Sequence, residues 1–352
     1  MKALKTTGKI LCAVLAVLVI CAAALFSAYR DPIATINSAE QIDEYPIYTM
    51  DYKGTYWFDG FMENGGNVSD EALSNFLWSR LTHGIIKAVP AAVENTPMCT
   101  CFVCRNEDGD VLYCRNMEGN SYRPAIVVTT HDGKYDAVAT SFYIGVPEDA
   151  PKYAQKLNLL AEPYFTADGM NEAGLAISLL SVPYSPLPQN EGKPLLNAEQ
   201  VCRLVLDNAG TVDEAVALFD EFTLDASVLS PFSSCHFLIA DKAGSMTVVE
   251  LHNGKADAVA PIHDGYMTVT NFYINGDISS GIGQARYKYI EAALAEKDGV
   301  MSEQEALELL ASVKDPNTHP EWTCVYNLTN GDMYIMPRTQ LDHIHKVEYS
   351  FD

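Results

Sequence analysis

The 352-residue chain is 48% hydrophobic and 20% charged, enough apolar material for one core of roughly 200–250 residues with extra segments around it. Its 46 acidic side chains against 23 basic ones give a formal charge of −23, which repels phosphate backbones and argues against a nucleic-acid partner. The acids are spread along the chain and read as a solvated exterior, not an interaction tail.

The first element is a leader over residues 1–28. Lys2, Lys5 and Lys9 precede an unbroken apolar run from Ile10 to Phe26. A basic flank before such a run predicts an export signal. The run is at the short edge of a bilayer span and long for a signal-peptide core, so a cleaved signal and a retained membrane anchor both fit. In either case the rest of the chain is expected outside the cytoplasm, secreted or anchored. Ile20 before Cys21 argues against a lipoprotein.

Residues 29–98 read as a helical pre-segment, either a propeptide or a small subunit. Tyr45, Tyr48, Tyr52, Tyr56 and Trp57 crowd its first half. Ser69 is a predicted N-cap for a helix whose apolar positions are Leu73, Phe76, Leu77, Leu81, Ile85 and Ile86, and Val89-Pro90 should end it.

The texture changes at Met98-Cys99, where a catalytic domain over 99–352 is expected to begin. Residues 100–104 and 110–116 alternate like strands around the turn Asn106-Glu107-Asp108-Gly109, a hairpin. Further strands are expected at 126–130 and 137–143, and a strand–turn–strand at 164–177. Helices should follow at 197–206 and 211–222, then strands at 236–240, 246–251 and 266–271. Helices at 284–296 and 302–314 come next, the latter opened by a Ser302/Glu305 capping box. Residues 322–336 close the chain's pattern as a hairpin turning at Asn330-Gly331. Strand runs alternating with helix pairs indicate a layered α+β fold.

Nine cysteines are present, with Cys12 and Cys21 in the leader. The other seven are an odd number, so at least one thiol is free or paired between chains. Cys99, Cys101, Cys104 and Cys114 are spaced irregularly for a structural zinc site. Cys101, Cys104 and Cys114 read as packed hairpin thiols or one cross-strand disulfide, Cys202 as a helix-core residue, and Cys235 with Cys324 as a further candidate pair. The eight histidines form no metal pattern, and no cofactor is expected. His343 and His345 read as solvated. His236 adjoins Cys235, but neighbours on a strand face opposite ways and do not form a dyad.

From Cys99 onward the residues resemble a known pattern. Cys99-Thr100, a hairpin with Asp108-Gly109 at its turn, and Arg115-Asn116-Met117-Glu118 are similar to the start of the mature chain in the linear amide hydrolases. That superfamily includes choloylglycine hydrolases, penicillin V acylases, acid ceramidase and N-acylethanolamine acid amidase. The likeness continues through Asp168-Gly169-Met170-Asn171-Glu172-Ala173-Gly174-Leu175, Val269-Thr270-Asn271-Phe272, Gln284-Ala285-Arg286-Tyr287 and the closing hairpin, in the family's order. Three positions depart from it. Glu118 stands where the family has Asp, Cys114 where Gly is common, and Ser181 where the bile-salt branch carries Asn.

The resemblance implies a four-layer αββα N-terminal-nucleophile (Ntn) hydrolase sandwich with Cys99 as nucleophile. Cleavage of Met98–Cys99 would free an α-amine, whose ordinary pKa of about 7.7–8.0 suits a general base. By the same resemblance Arg115 holds negative charge on sulfur and Glu118 orients the new ammonium. Asn271 donates to the oxyanion, Arg286 braces the network, and Ser181 supplies a second donor. The implied partner is a small N-acyl amide, with membrane contact only through a retained leader. The same thioester resolved by an amine would make the protein an acyltransferase, and a non-catalytic surface-binding protein would share the fold.

Overall fold

The computed structural model describes residues 19, 23, 26–45, 47–69, 71–82, 98–119, 124–131, 133–142, 158–225, 233–275, 281–313 and 319–351. Two sheets face each other. The larger contains, in spatial order, β1 (Glu40–Gln41), β2 (Tyr48–Tyr52), β5 (Pro124–Thr129), β6 (Ala137–Phe142), β7 (Thr166–Asn171), β8 (Leu175–Pro183), β11 (Ser233–Asp241), β12 (Met246–His252) and β13 (Lys255–Val259). The smaller contains β14 (Met267–Val269), β3 (Met98–Arg105), β4 (Val111–Gly119), β15 (His319–Asn327), β16 (Met333–Pro337) and β17 (His345–Lys346). A short parallel pair, β9 (Leu195–Leu196) with β10 (Thr223–Leu224), lies apart from both.

Residues 26–38 form helix α1. Further helices are α2 (Phe58–Glu63), α3 (Ala72–Thr82), α4 (Ala198–Asn208), α5 (Val212–Ala217), α6 (Gln284–Glu296) and α7 (Glu303–Ser312). Both capping boxes, Asn197/Gln200 on α4 and Ser302/Glu305 on α7, satisfy backbone N–H groups that a helix start leaves open.

Strand alternation sorts the side chains into three cores. Cys99, Cys101 and Val103 of β3 join Val111, Tyr113 and Met117 of β4 between the sheets. Phe102, Cys104, Leu112 and Cys114 point the other way, onto Ile290 and Leu294 of α6 and Leu307 and Leu310 of α7. On the far side, Leu175, Ile177 and Leu179 of β8 pack against Val201 and Val205 of α4 and aromatic side chains of the pre-segment. The order is helix, sheet, sheet, helix, as expected from the resemblance. Because β3 and β4 are covered on both faces, almost every residue in them is buried.

The pre-segment differs from expectation. It contains helices, but β1 and β2 as well, and β2 pairs in parallel with β5 from Tyr48↔Ala125 to Tyr52↔Thr129. Ile47, Met50, Tyr52, Tyr56, Phe58 and Phe61 are buried in the cores. A parallel partner far along the chain leaves no turn or alternating run beside the strand by which to recognise it. The expected helix at 211–222 stops at Ala217 and tightens into a 3₁₀ turn over Leu218–Asp220. The exposed edge strand β13 was not foreseen, because its burial pattern carries no apolar face.

All seven described cysteines are buried free thiols. Cys235 lies in the outer core and Cys324 between the sheets, so they do not pair. Cys99 and Cys101 face one side of the sheet and Cys104 and Cys114 the other, so the four do not converge on a metal. His343 and His345 are not simply solvated: Nδ1 of the first and Nε2 of the second lie 3.0 and 2.6 Å from Oδ2 of Asp43. Most of the apolar leader lies outside the described residues. Among the described residues, no helix is long and apolar enough to cross a membrane.

Two stability outcomes follow from this packing. Met50→Ala should cost about 2–5 kcal/mol in urea unfolding, because Met50 is buried on a strand paired within the larger sheet. Burial raises the pKa of Cys99, Cys101, Cys114, Cys202, Cys235 and Cys324 above the ordinary 9.0. A raised thiol stabilises the fold fully below its unfolded pKa and loses that contribution as pH climbs through its folded value. The urea midpoint should therefore fall between about pH 8 and pH 10 and change little below that window.

Candidate active site

The site is built where β3, β4 and the segment after β14 come together. In the β3–β4 ladder Cys99 lies opposite Met117, and Cys101 opposite Arg115. Arg115 is thus the diagonal neighbour of Cys99 on the inter-sheet face, within reach of a long side chain. Its Nη2 donates to Cys99 Sγ at 3.2 Å. The thiol is fully buried. Burial pushes its pKa above the ordinary value, Arg115 pulls it back, Glu118 pushes it up and Arg286 again pulls it down.

Arg115 is itself fully buried, so its charge needs a partner. Asp168 supplies it, with Oδ2 at 3.0 Å from Arg115 Nη1, which also donates to the Ala167 carbonyl at 2.7 Å. Tyr326 donates its hydroxyl to the other oxygen of Asp168. Burial alone would disfavour the guanidinium's charge; Cys99 and Asp168 outweigh it, and the Arg115 pKa is raised.

Sequence reasoning missed Asp168 because Asp168-Gly169 looks like a turn. In the fold both residues sit inside β7, paired with β6 and β8, and the turn comes later at Glu172-Ala173-Gly174. Gly169 is there for space: a Cβ would lie 2.7 Å from the Ala139 Cβ and 2.8 Å from the Val138 carbonyl oxygen. The available clue was a buried Arg115 with no acid assigned to balance it.

A second set of contacts gathers around the Cys99 backbone. Asn271 follows β14, which pairs antiparallel with β3 and ends with Val269 opposite Cys101. Asn271 Oδ1 accepts from the Cys99 backbone N–H at 3.1 Å and from Arg286 Nη2 at 3.0 Å. Arg286 Nη1 donates to the Cys99 carbonyl at 2.9 Å and to Glu118 Oε1 at 3.0 Å. Thr100 joins the cluster, donating to the same Glu118 oxygen at 3.1 Å and accepting from Arg286. One arginine therefore touches Cys99, Thr100, Glu118 and Asn271.

The short connection from Asn271 to α6 makes this possible. Ile282 N–H donates to the Asn271 carbonyl at 3.1 Å, closing the loop, and Gly283 at φ 92° starts the helix that carries Arg286. A Cβ on Gly283 would lie 2.8 Å from Thr270 Oγ1 and 3.0 Å from Arg286 Nη2, so this position needs glycine for both conformation and space.

Cys99, Arg115, Glu118, Asn271 and Arg286 are thus brought together, with three differences from expectation. Glu118 contacts Arg286 and Thr100, on the sheet face opposite the thiol, and the Cys99 nitrogen is held by Asn271. That nitrogen has a single hydrogen while it is a peptide nitrogen. The Asn271 amide group points at Ser181, donating to its backbone carbonyl at 2.8 Å. Ser181 itself shares the outward face of β8 with Ile177 and Leu179, whereas Ser178 and Leu180 face Cys101 and the inter-sheet core. Its carbonyl, not its hydroxyl, meets the site, which corrects the expectation of a second side-chain donor. Among the described residues no group of His, Cys, Asp and Glu could hold a metal ion.

Asp168→Asn should destabilise the fold by about 3–5 kcal/mol, because Arg115 would be left buried without a counter-charge. Urea unfolding at neutral pH measures it, and a loss below about 1 kcal/mol would contradict the ion-pair account.

Comparison with known proteins bears on the family and the fold. The family model described as acyl-coenzyme A:6-aminopenicillanic acid acyl-transferase matches residues 95–323. A penicillin V acylase from Pectobacterium atrosepticum is 31% identical over 114 residues, and the chain spans only 30% of that relative's length. Among solved structures, a variant of conjugated bile acid hydrolase from Clostridium perfringens aligns with 72% of this chain and 97% of its own at 17% identity and a TM-score of 0.50. Penicillin V acylase from Agrobacterium tumefaciens aligns with 68% of this chain and 83% of its own, at 19% identity and a TM-score of 0.47. The αββα layering is the Ntn-hydrolase sandwich, and with well over half its length matched the chain belongs to the acyl-coenzyme A:6-aminopenicillanic acid acyl-transferase family.

Proposed function

We propose that this protein hydrolyses a linear carbon–nitrogen amide bond through a thioester on Cys99, after cutting its own chain at Met98–Cys99. One observation carries the reading: the Cys99 sulfur lies 3.2 Å from a buried guanidinium while its backbone nitrogen is held at 3.1 Å by Asn271. An ordinary core cysteine needs neither contact.

In the first step the Cys99 thiol adds to the Met98 carbonyl, and the acyl group passes from nitrogen to sulfur. Water then cleaves that ester, leaving a carboxylate on Met98 and a free amine and thiol on Cys99. Before the cut the nitrogen is an amide and is not a base; afterwards its pKa falls near neutrality. The amine takes the thiol proton, the thiolate attacks the substrate carbonyl, and the same proton leaves with the departing amine. Water resolves the thioester and restores the enzyme.

Arg115 stabilises the thiolate in this scheme. Asn271 Oδ1 is in place to accept from the new ammonium. The second Nδ2 hydrogen, the one not given to the Ser181 carbonyl, is the donor assigned to the oxyanion, an interaction of roughly 3–4 kcal/mol where such a donor is removed. Arg286 and Glu118 hold Cys99 and Asn271 in register. The substrate class is an N-acyl amide, as the names of the penicillin V acylase and bile acid hydrolase relatives suggest. Export through the 1–28 leader belongs to the same proposal. The family description names an acyl-transferase, which favours one second reading: an amine, not water, resolves the thioester.

Intact mass and N-terminal sequencing of the wild type beside Cys99→Ala test the processing. Expected are a new N-terminus at Cys99 in the wild type alone, and co-elution of the two fragments on gel filtration, since β2 sits within the larger sheet. An uncut wild-type chain with an unreactive Cys99 would leave a binding protein of the same fold. Product analysis of a processed sample on penicillin V, with and without an added amine, separates hydrolysis from transfer.

A further inference from the structure

Beneath the Asn271 segment lies a buried acid–imidazole pair that the reaction above does not use. His236 on β11 and Glu250 on β12 are register partners, and the two residues are 0% and 1% exposed. Leu238 and Val248 share their strand faces, so both side chains enter the layer between the sheets, as the Cys99 thiol does. Burying such a pair carries a desolvation cost that an apolar pair of similar size would avoid, so its contacts are informative.

Those contacts fall on either side of Asn271. His236 Nε2 lies 2.9 Å from the Thr270 carbonyl oxygen. A carbonyl only accepts, so Nε2 carries the hydrogen. Glu250 Oε1 accepts from the Ile274 N–H at 2.6 Å, and its Oε2 from the Asn275 N–H at 3.0 Å. His236 Nδ1 is 3.6 Å from Glu250 Oε1, beyond hydrogen-bond distance, so the two side chains grip the segment separately. Between them the Tyr273 hydroxyl donates to the Pro183 carbonyl at 3.0 Å. The backbone before and after Asn271 is thus fixed to the larger sheet, while the Asn271 side chain reaches Cys99 on the smaller one.

We propose that His236 and Glu250 are positioning residues: they hold segment 270–275 against the larger sheet and so keep the Asn271 side-chain oxygen on the Cys99 nitrogen. The inference rests on the role given to Asn271 above. The pair is not a second nucleophile or base, because neither side chain contacts the thiol.

The test compares full-length wild type, His236→Phe, His236→Gln and Glu250→Gln. Two measurements are made: amide hydrogen exchange of peptides covering 270–275, and the rate of cleavage at Met98–Cys99 by intact mass. His236→Phe keeps volume but removes the donor, whereas the His236→Gln amide can still donate to Thr270. Expected are faster exchange confined to 270–275 in His236→Phe and Glu250→Gln, cleavage slowed about 10- to 100-fold, and recovery of most of the rate in His236→Gln. Unchanged exchange at 270–275, or His236→Gln as slow as His236→Phe, would overturn the proposal. Should His236→Phe fail to fold, Glu250→Gln decides by the same exchange readout. If the wild type never cuts itself, the processing reading fails separately, and exchange alone still decides whether the pair holds the segment.

Discussion

A guanidinium with no access to water sits against the sulfur of Cys99. Most of the site's construction follows from that placement. A buried charge of this kind is tolerated only where it is paired and hydrogen-bonded. Asp168, the Ala167 carbonyl and Tyr326 meet that demand, and they come from β7 and β15, in different sheets. The arginine thus fixes how the two sheets face each other as well as the charge felt by the thiol. The central strands could not slide by one residue without turning Arg115 to the helical side and leaving Asp168 unbalanced.

Arg286 does complementary work on the backbone side of Cys99. Its two terminal nitrogens reach the Cys99 carbonyl, Glu118 and Asn271, groups delivered by β3, β4 and the chain after β14. The planar fork of an arginine suits this, since several acceptors are served at once in fixed geometry. The two arginines bracket Cys99 from opposite faces of one strand. One acts at sulfur and the other at the main chain. The uncut chain consequently holds the nucleophile in a tightly packed setting, where burial keeps the thiol protonated against the pull of both cations.

The sequence made the elements after Cys99 legible for local reasons. Helix caps such as Asn197 and Ser302, and the Asn106–Gly109 and Asn330-Gly331 turns, are short-range devices that announce themselves. The motif residues Cys99, Arg115, Glu118, Asn271 and Arg286 were identified in advance, and the fold places them within one cluster. Their spacing in the chain already required a hairpin and a short return to a helix. Asp168 and Thr100 carried no role beyond their motifs, His236 was weighed only beside Cys235, and Glu250 was given none. Each is an ordinary residue type in an ordinary strand context, and only the partner across a sheet gives it meaning.

The amino-acid sequence by itself determined the layered α+β plan, the family resemblance and the chemistry available at Cys99, because these depend on side-chain type and local periodicity. Tertiary structure decided which groups meet. It brought β2 from the pre-segment into the larger sheet and kept all seven described cysteines apart as thiols. It turned the Ser181 carbonyl toward Asn271 and put Asp168 beside Arg115. Those choices rest on which face of a strand a residue occupies and on what another strand, far along the chain, presents to it. Neither is encoded in any short stretch of residues.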